Sequence, residues 1–294
     1  KLPQEYQNEL RGIADALGQP YTYEDVVLAN LFNALMKVTP VAVLPEALQA
    51  RHSTDCTSIV AQRSNGTIYH ARNQDYPDAF RPLVVDVTFT RGGVPQYVAA
   101  MFAGCVGISG SALRFGEDAF SFSVNARDDT DPSQSFNLTM AAAAAGAVPV
   151  TIPARAAFDS GLSYTAAVAS LSSAPILTSV YYITAGTQGK QGAVISRNRT
   201  AAVDTLVLGE GQAGGQDWFV LQTNDDNWQP PKDPRRAAGL ASMKAIGADA
   251  IDLQQLFGVL STPPVFAPKT IHTELMAPTW GEFDAFLRYQ NDTA

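Results

Sequence analysis

Within residues 55–77, DCTSIVAQRSNGTIYHARNQDYP, the chain sets a thiol at Cys56, a guanidinium at Arg72 and a carboxylate at Asp75. A thiolate is a strong nucleophile toward an acyl carbon, a nearby cation lowers its pKa, and a carboxylate can orient an ammonium group. The stretch reads as a strand over 56–63, a turn on Asn65-Gly66 and a returning strand over 67–73. β-branched and alternating runs flank the strongest short hairpin signal. Folding about that turn brings Asp75 back beside Cys56, with Arg72 nearby. A two-residue turn and the strand period of two put Cys56 and Asp75 on one face and Arg72 on the other. A bulge or an irregular strand end is therefore expected if all three are to meet.

Pro3 fits the first turn of a helix in which Tyr6, Leu10, Ile13 and Leu17 recur at helical spacing and which Gly18 ends. A second helix opens on Thr22-Tyr-Glu-Asp25, a capping-box pattern, runs to about Lys37, and has so little polar face that burial is expected. Residues 38–55, with Pro40 and Pro45, read either as a cleavable linker or as an ordinary surface loop. On the first reading, residues 41–48 cover an acyl pocket before processing. Strands are expected at 83–90, 94–102 and 119–124, helices at 140–147, 154–160 and 163–171, and strands again at 179–185, 193–197, 203–208 and 218–223. Helices at 235–246 and 253–260 and a last strand at 270–276 complete the order, which favours an α+β layered fold. Phe89, Met101 and Phe102 are expected in the core.

Of 294 residues, 46% are hydrophobic and 16% charged, as in a well-cored globular protein, and the net charge of -8 argues against nucleic acid as a partner. Two cysteines and three scattered histidines offer no metal-ligand spacing, so neither metal nor cofactor is expected. The cysteines read either as a Cys56–Cys105 disulfide or as a free thiol at Cys56 and a buried small hydrophobe at Cys105. Asn65, Asn137, Asn198 and Asn291 head N-glycosylation triplets, which matter only on a secretory route. No apolar run approaches the ~20 residues of a membrane span.

The blocks CTSIVA from Cys56, HARNQDYP from His70, YYITAGT from Tyr181, VISRNR from Val194, QTNDDNW from Gln222 and DPRR from Asp233 occur in this order over most of the chain. Together they resemble the acid ceramidase and N-acylethanolamine acid amidase family of N-terminal-nucleophile cysteine hydrolases. The resemblance implies a four-layer αββα sandwich and cleavage between Asp55 and Cys56. It also implies an N-terminal segment 1–55 that stays associated with a catalytic domain 56–294. Cys56 is then a free nucleophile whose new α-amine, with a reference pKa of ~7.7 to 8.0, serves as its base. By the same resemblance Arg72 positions substrate and stabilises the charged site, Asp75 orients the α-ammonium, Asn224 helps form an oxyanion hole, and Arg235 lies near the reacting atoms.

The expected substrate is a lipid amide with a long acyl chain and a small polar amine. Beside the substrate, the partner expected is a membrane surface or lipid-presenting activator. The expected location is lysosomal or secreted, with any leader absent from this numbering. An amidase for penicillin-like or bile-salt-like amides and a catalytically silent lipid binder stand as alternatives. Two residues depart from the family pattern: Ala126 stands where an acidic residue is usual, with Asp128 as a substitute, and Asp55 precedes the nucleophile where an apolar residue or Thr is usual.

Overall fold

The computed structural model describes residues 2–38, 55–127, 136–212 and 215–290. Two helices lead, α1 (Gln4–Leu17) and α2 (Tyr23–Val38), followed by strands β1 (Asp55–Gln62), β2 (Ile68–Asp75), β3 (Val84–Arg91), β4 (Val94–Phe102), β5 (Ser111–Arg114) and β6 (Ser121–Ala126). Helices α3 (Phe136–Ala144), α4 (Ile152–Asp159) and α5 (Tyr164–Ser173) come next, then β7 (Val180–Ala185), β8 (Gly192–Arg197), β9 (Ala202–Val207) and β10 (Phe219–Gln222). Helices α6 (Arg235–Ile246) and α7 (Leu253–Ser261) and strands β11 (Thr270–Ala277) and β12 (Glu282–Leu287) close the chain.

The strands form two antiparallel sheets, β10-β1-β2-β11-β12 and β3-β4-β5-β6-β7-β8-β9. Ile59, Ala71, Leu221 and Leu275 carry one face of the first sheet onto Leu240, Met243, Leu256 and Leu260 of α6 and α7. Val60, Ile68 and Val220 on its other face meet Tyr181, Ile183 and Val194 of the second sheet. The far face of that sheet, through Phe122, Tyr182 and Ile195, packs on Ala154, Phe158, Ala167 and Leu171 of α4 and α5. The result is the four-layer αββα sandwich. Because β1 and β2 are covered on both faces, every residue of β2 is buried, which is why the stretch shows no clean polar alternation.

A directed hydrogen-bond chain crosses the space between the sheets. Ser58 Oγ donates to Asn125 Oδ1 (2.9 Å) and lies 3.0 Å from Ser123 Oγ, which in turn lies 2.9 Å from His70 Nε2. His70 Nδ1 is 2.9 Å from Ser121 Oγ. With the Ser58 proton committed to Asn125, Ser123 donates to Ser58 and accepts from His70 Nε2, and a neutral ring then accepts at Nδ1. Burial, with Arg72 adding to it, pushes the His70 pKa down to about 3.

Helices α1 and α2 pack on the body through Tyr6, Leu10, Ala14 and Val26 against Val106 and Ile152. A strap centred on the buried Arg155 reinforces this: Arg155 of α4 donates to both carboxylate oxygens of the exposed Glu9, and Asp159 accepts from Tyr6 (2.9 Å), Tyr97 (2.7 Å) and Arg155 Nε (2.8 Å). The capping box forms, with Thr22 N donating to Asp25 Oδ2 and Asp25 N to Thr22 Oγ1. The expected burial of α2 does not hold: among its described side chains only Val26 and Ala34 are buried, and Leu28 is 54% exposed. The four-residue β5 and the edge strand β12 lie outside the sequence-based strands, so β11 is not the last strand. Residues 41–48, His52, Asp128 and Asn291 lie outside the described residues.

Candidate active site

One residue of loop length decides which side chains meet. Gly66 N donates to Arg63 O, Arg63 N donates to Thr67 O, and Gly66 takes φ 93°, so the connection is a three-residue loop, Ser64-Asn65-Gly66, with glycine in the left-handed position. Gln62 therefore pairs with Ile68, Cys56 with Gln74 and Ser58 with Arg72. The expected two-residue turn shifts this register by one residue and exchanges the faces. Cys56 shares its face with Arg72, and it is Asp75, opposite Asp55, that points the other way.

The β11 register extends the pattern into two adjacent rows on the inter-sheet face, Cys56, Gln74, His272 and Ser58, Arg72, Glu274. Arg72 is buried at their centre and uses every edge of its guanidinium. Nε donates to Val124 O (3.1 Å), Nη1 to Gln74 Oε1 (3.1 Å) and Glu274 Oε1 (3.3 Å), and Nη2 to Cys56 Sγ (3.2 Å). Burial pushes the Cys56 thiol pKa up, while Arg72 pulls it down without overcoming the burial.

On the opposite face, at the start of α6, Arg235 is a hub. Nη1 donates to Cys56 O (3.0 Å) and Asp75 Oδ2 (3.2 Å), and Nη2 donates to Asn224 Oδ1 (3.0 Å) and Asp233 Oδ2 (2.7 Å). Asn224, just beyond β10, accepts from Cys56 N (2.9 Å), and its Nδ2 donates to Ala126 O (2.8 Å). Cys56 is thus held at three points: amide by Asn224, carbonyl by Arg235, sulfur by Arg72. A β-bulge in β11 between Thr270 and His272 brings the Thr270 hydroxyl to Asp75 Oδ1 (2.6 Å). Burial nevertheless pushes the Asp75 carboxyl up, against the pull of Thr270 and Arg235. The nitrogen of Cys56 rests on Asn224 and not on Asp75. The Asp55 carboxylate pairs with Lys269 and lies 3.6 Å from Arg235. Ala126 takes part through its carbonyl alone.

The sulfur also borders apolar ground. Cys56, Tyr76, Phe102 and Ile271 form one buried cluster with Phe80, Val84 and Cys105 against it, and the Phe80 ring is 5.6 Å from Phe32 of α2. Phe102, expected to be plain core, thus lines the surroundings of Cys56. Both cysteines are free thiols, and Cys105 is only partly buried, with its pKa pushed up by burial to about 11. Of the glycosylation candidates, Asn65 and Asn137 are exposed and Asn198 is half-buried in a turn that its own side chain caps.

No protein-family model matches the chain. Over 94% of its length it is 35% identical to the N-acylethanolamine-hydrolyzing acid amidase of Rattus norvegicus, of which it covers 70%. The solved structure of a Caenorhabditis elegans N-acylethanolamine-hydrolyzing acid amidase ortholog matches with a TM-score of 0.69 at 31% identity, across 79% of this chain and 100% of that one. The chain belongs to the N-acylethanolamine acid amidase and acid ceramidase family. The acid ceramidase of Homo sapiens is more distant, at 27% identity over 98% of this chain and 71% of its own length.

Against the family motifs, the structure gathers Cys56, Arg72, Asp75, Asn224 and Arg235 at one end of the central hairpin, with Asp55 beside them. Sequence reasoning missed Glu274, His272, Gln74 and Lys269. The strand pattern of β11 was visible, but nothing local shows that its IHTEL stretch, residues 271–275, sets a carboxylate opposite Arg72.

Proposed function

We propose that this chain hydrolyses lipid amides made of an acyl chain and a small polar amine, and that it is made as a precursor in which Cys56 is masked by its peptide bond to Asp55. The observation that carries this reading is the Arg72 Nη2 contact, 3.2 Å from the Cys56 sulfur, on a residue whose amide and carbonyl are separately held. Cys56 is 1% exposed, which suits a masked site. In maturation the sulfur attacks the Asp55 carbonyl carbon, the S–C bond forms, the C–N bond breaks, and the Cys56 nitrogen leaves as an amine carrying the thiol proton. Water then hydrolyses the thioester to the Asp55 carboxylate and the free thiol.

In turnover the new α-amine takes the thiol proton and the thiolate attacks the amide carbon. The substrate amine leaves with that proton, and water releases the fatty acid from the acyl-thioester. Arg72 stabilises charge on sulfur. Asn224 Oδ1, already on the Cys56 nitrogen, accepts from the ammonium form, and its Nδ2 can turn from Ala126 O to the oxyanion. Asp75 acts through Arg235, which it keeps charged and in place. Tyr76, Phe80 and Phe102 supply apolar wall for an acyl chain.

Residues 1–55 remain bound to 56–294 after cleavage through the Arg155 strap and the α1 core contacts. Exposed Phe136, Leu138 and Met140 of α3 and Leu28 of α2 offer a surface for meeting lipid aggregates or a lipid-presenting partner. The relatives named acid amidase and acid ceramidase support an acidic, lysosomal or secreted setting. The test is release of fatty acid from N-acylethanolamines and ceramides of graded acyl length at acid and neutral pH. Release by the unmutated protein and none by Cys56→Ala supports the proposal; equal release by both would end it.

A further inference from the structure

We propose that Glu274 is a positioning residue that holds Arg72 against the nucleophile, an inference that rests on Cys56 being that nucleophile. Glu274 is fully buried, directly opposite Arg72 in the β2–β11 register, and accepts from Arg72 Nη1 at 3.3 Å. Its Oε1 also meets His272 Nδ1 at 3.0 Å. The other guanidinium edge, Nη2, is the one on the sulfur. Fixing Nη1 therefore fixes where the cation stands relative to Sγ, with Gln74 Oε1 as the second anchor.

Two further observations set Glu274 apart from a simple buried ion pair. Among the described residues its second oxygen, Oε2, has no hydrogen-bond partner, and neither has Nε2 of Gln74, the other acceptor on Arg72 Nη1. A buried polar atom left unbonded destabilises the fold, so stability alone does not account for a carboxylate here. Gly110 lies close on this side: a Cβ there would clash with Ala100 O at 2.3 Å and come 3.3 Å from Oε1. Burial raises the Glu274 pKa, but Arg72 and His272 outweigh it and hold the group below the ordinary range, as a carboxylate.

The groups that set the electrostatics are few. Glu274 faces Arg72 and Gln74 from β2 and His272 from its own strand, with Asp86 of β3 in electrostatic reach. Cys56 feels Arg72, Asp75, Asp55 and Arg235. Taking the charge from Glu274 leaves Arg72 without its counterion, so more of its field falls on sulfur and the thiolate forms at lower pH. Taking the whole side chain frees the guanidinium to move.

The test uses cleaved enzyme and reads two quantities: the pH midpoint for iodoacetamide alkylation of Cys56, followed by mass of the Cys56 peptide, and kcat and KM on a lipid amide. Glu274→Gln, whose amide oxygen can still accept from Arg72 Nη1, is expected to lower the midpoint by about one pH unit and to lose less kcat than the alanine variant. Glu274→Ala is expected to lower kcat by about tenfold or more with KM little changed. Should the alanine variant not fold, the glutamine midpoint decides alone. Unshifted midpoints and unchanged kcat, with only the melting temperature lowered, would overturn the proposal. An active Cys56→Ala would instead remove the reading beneath it, whereas an inactive Cys56→Ala with unshifted Glu274 variants removes this inference only.

Discussion

Replacing His70 with glutamine should make the fold more resistant to acid. The imidazole lies between the two sheets, fully buried, with each ring nitrogen 2.9 Å from a serine hydroxyl, and burial holds it neutral. Its folded pKa is about 3 against a reference of 6.5. The unfolded chain therefore binds a proton that the folded one refuses whenever the pH lies between those values. The stability tied to the neutral ring is fully present above about pH 6.5 and is lost as the pH falls toward 3. Between pH ~7 and ~4.5 the loss integrates to about 2.5 kcal/mol, at 1.36 kcal/mol per unit.

Glutamine has no titration in this window and can still bond both serines. The assay is urea unfolding at those two pH values, in a Cys56→Ala background so that the chain stays unbroken. Other titrating groups contribute equally to both proteins, so the difference of differences isolates His70. The unmutated side chain should lose roughly 2 to 3 kcal/mol more than His70→Gln on acidification. Equal losses would refute the neutral, desolvated state assigned to this ring.

Asn224→Ala removes the acceptor for both Cys56 N and Arg235 Nη2, and should lower turnover by about 10² to 10³ in steady-state assays. Gly66→Ala meets no neighbouring atom but strains a residue at φ 93°, so it should cost about 1 kcal/mol and lower the melting temperature by roughly 2 °C while leaving activity intact. Arg155→Ala strips the strap of its buried cation, so stability should fall by about 3 kcal/mol and, after cleavage, residues 1–55 should separate from the body on size exclusion.

The hairpin at the centre of the fold was legible because its signals are local: β-branched runs, Asn65-Gly66, and motif residues close in sequence. Its register was not, since two- and three-residue loops both fit Ser64-Asn65-Gly66 and differ by one residue that swaps every side chain between faces. That is why Asp75 was expected on the Cys56 face where Arg72 stands. Glu274 was invisible for a different reason: its partner Arg72 lies 202 residues away, and only the β2–β11 pairing joins them. The capping box at Thr22 was readable because it spans a single turn, whereas the exposure of α2 depends on what packs against it, which an apolar sequence does not state. Strand β12 escaped because an edge strand with mixed burial has neither clean alternation nor a continuous apolar run.

The most direct test of the central claim is intact mass with N-terminal sequencing of the purified protein after incubation at pH about 4.5 and about 7, beside Cys56→Ala. The account predicts a new N-terminus at Cys56, formed mainly in acid and never in the variant. An unmutated chain that stays whole at both pH values, or a Cys56→Ala chain that is cut as readily, would contradict it.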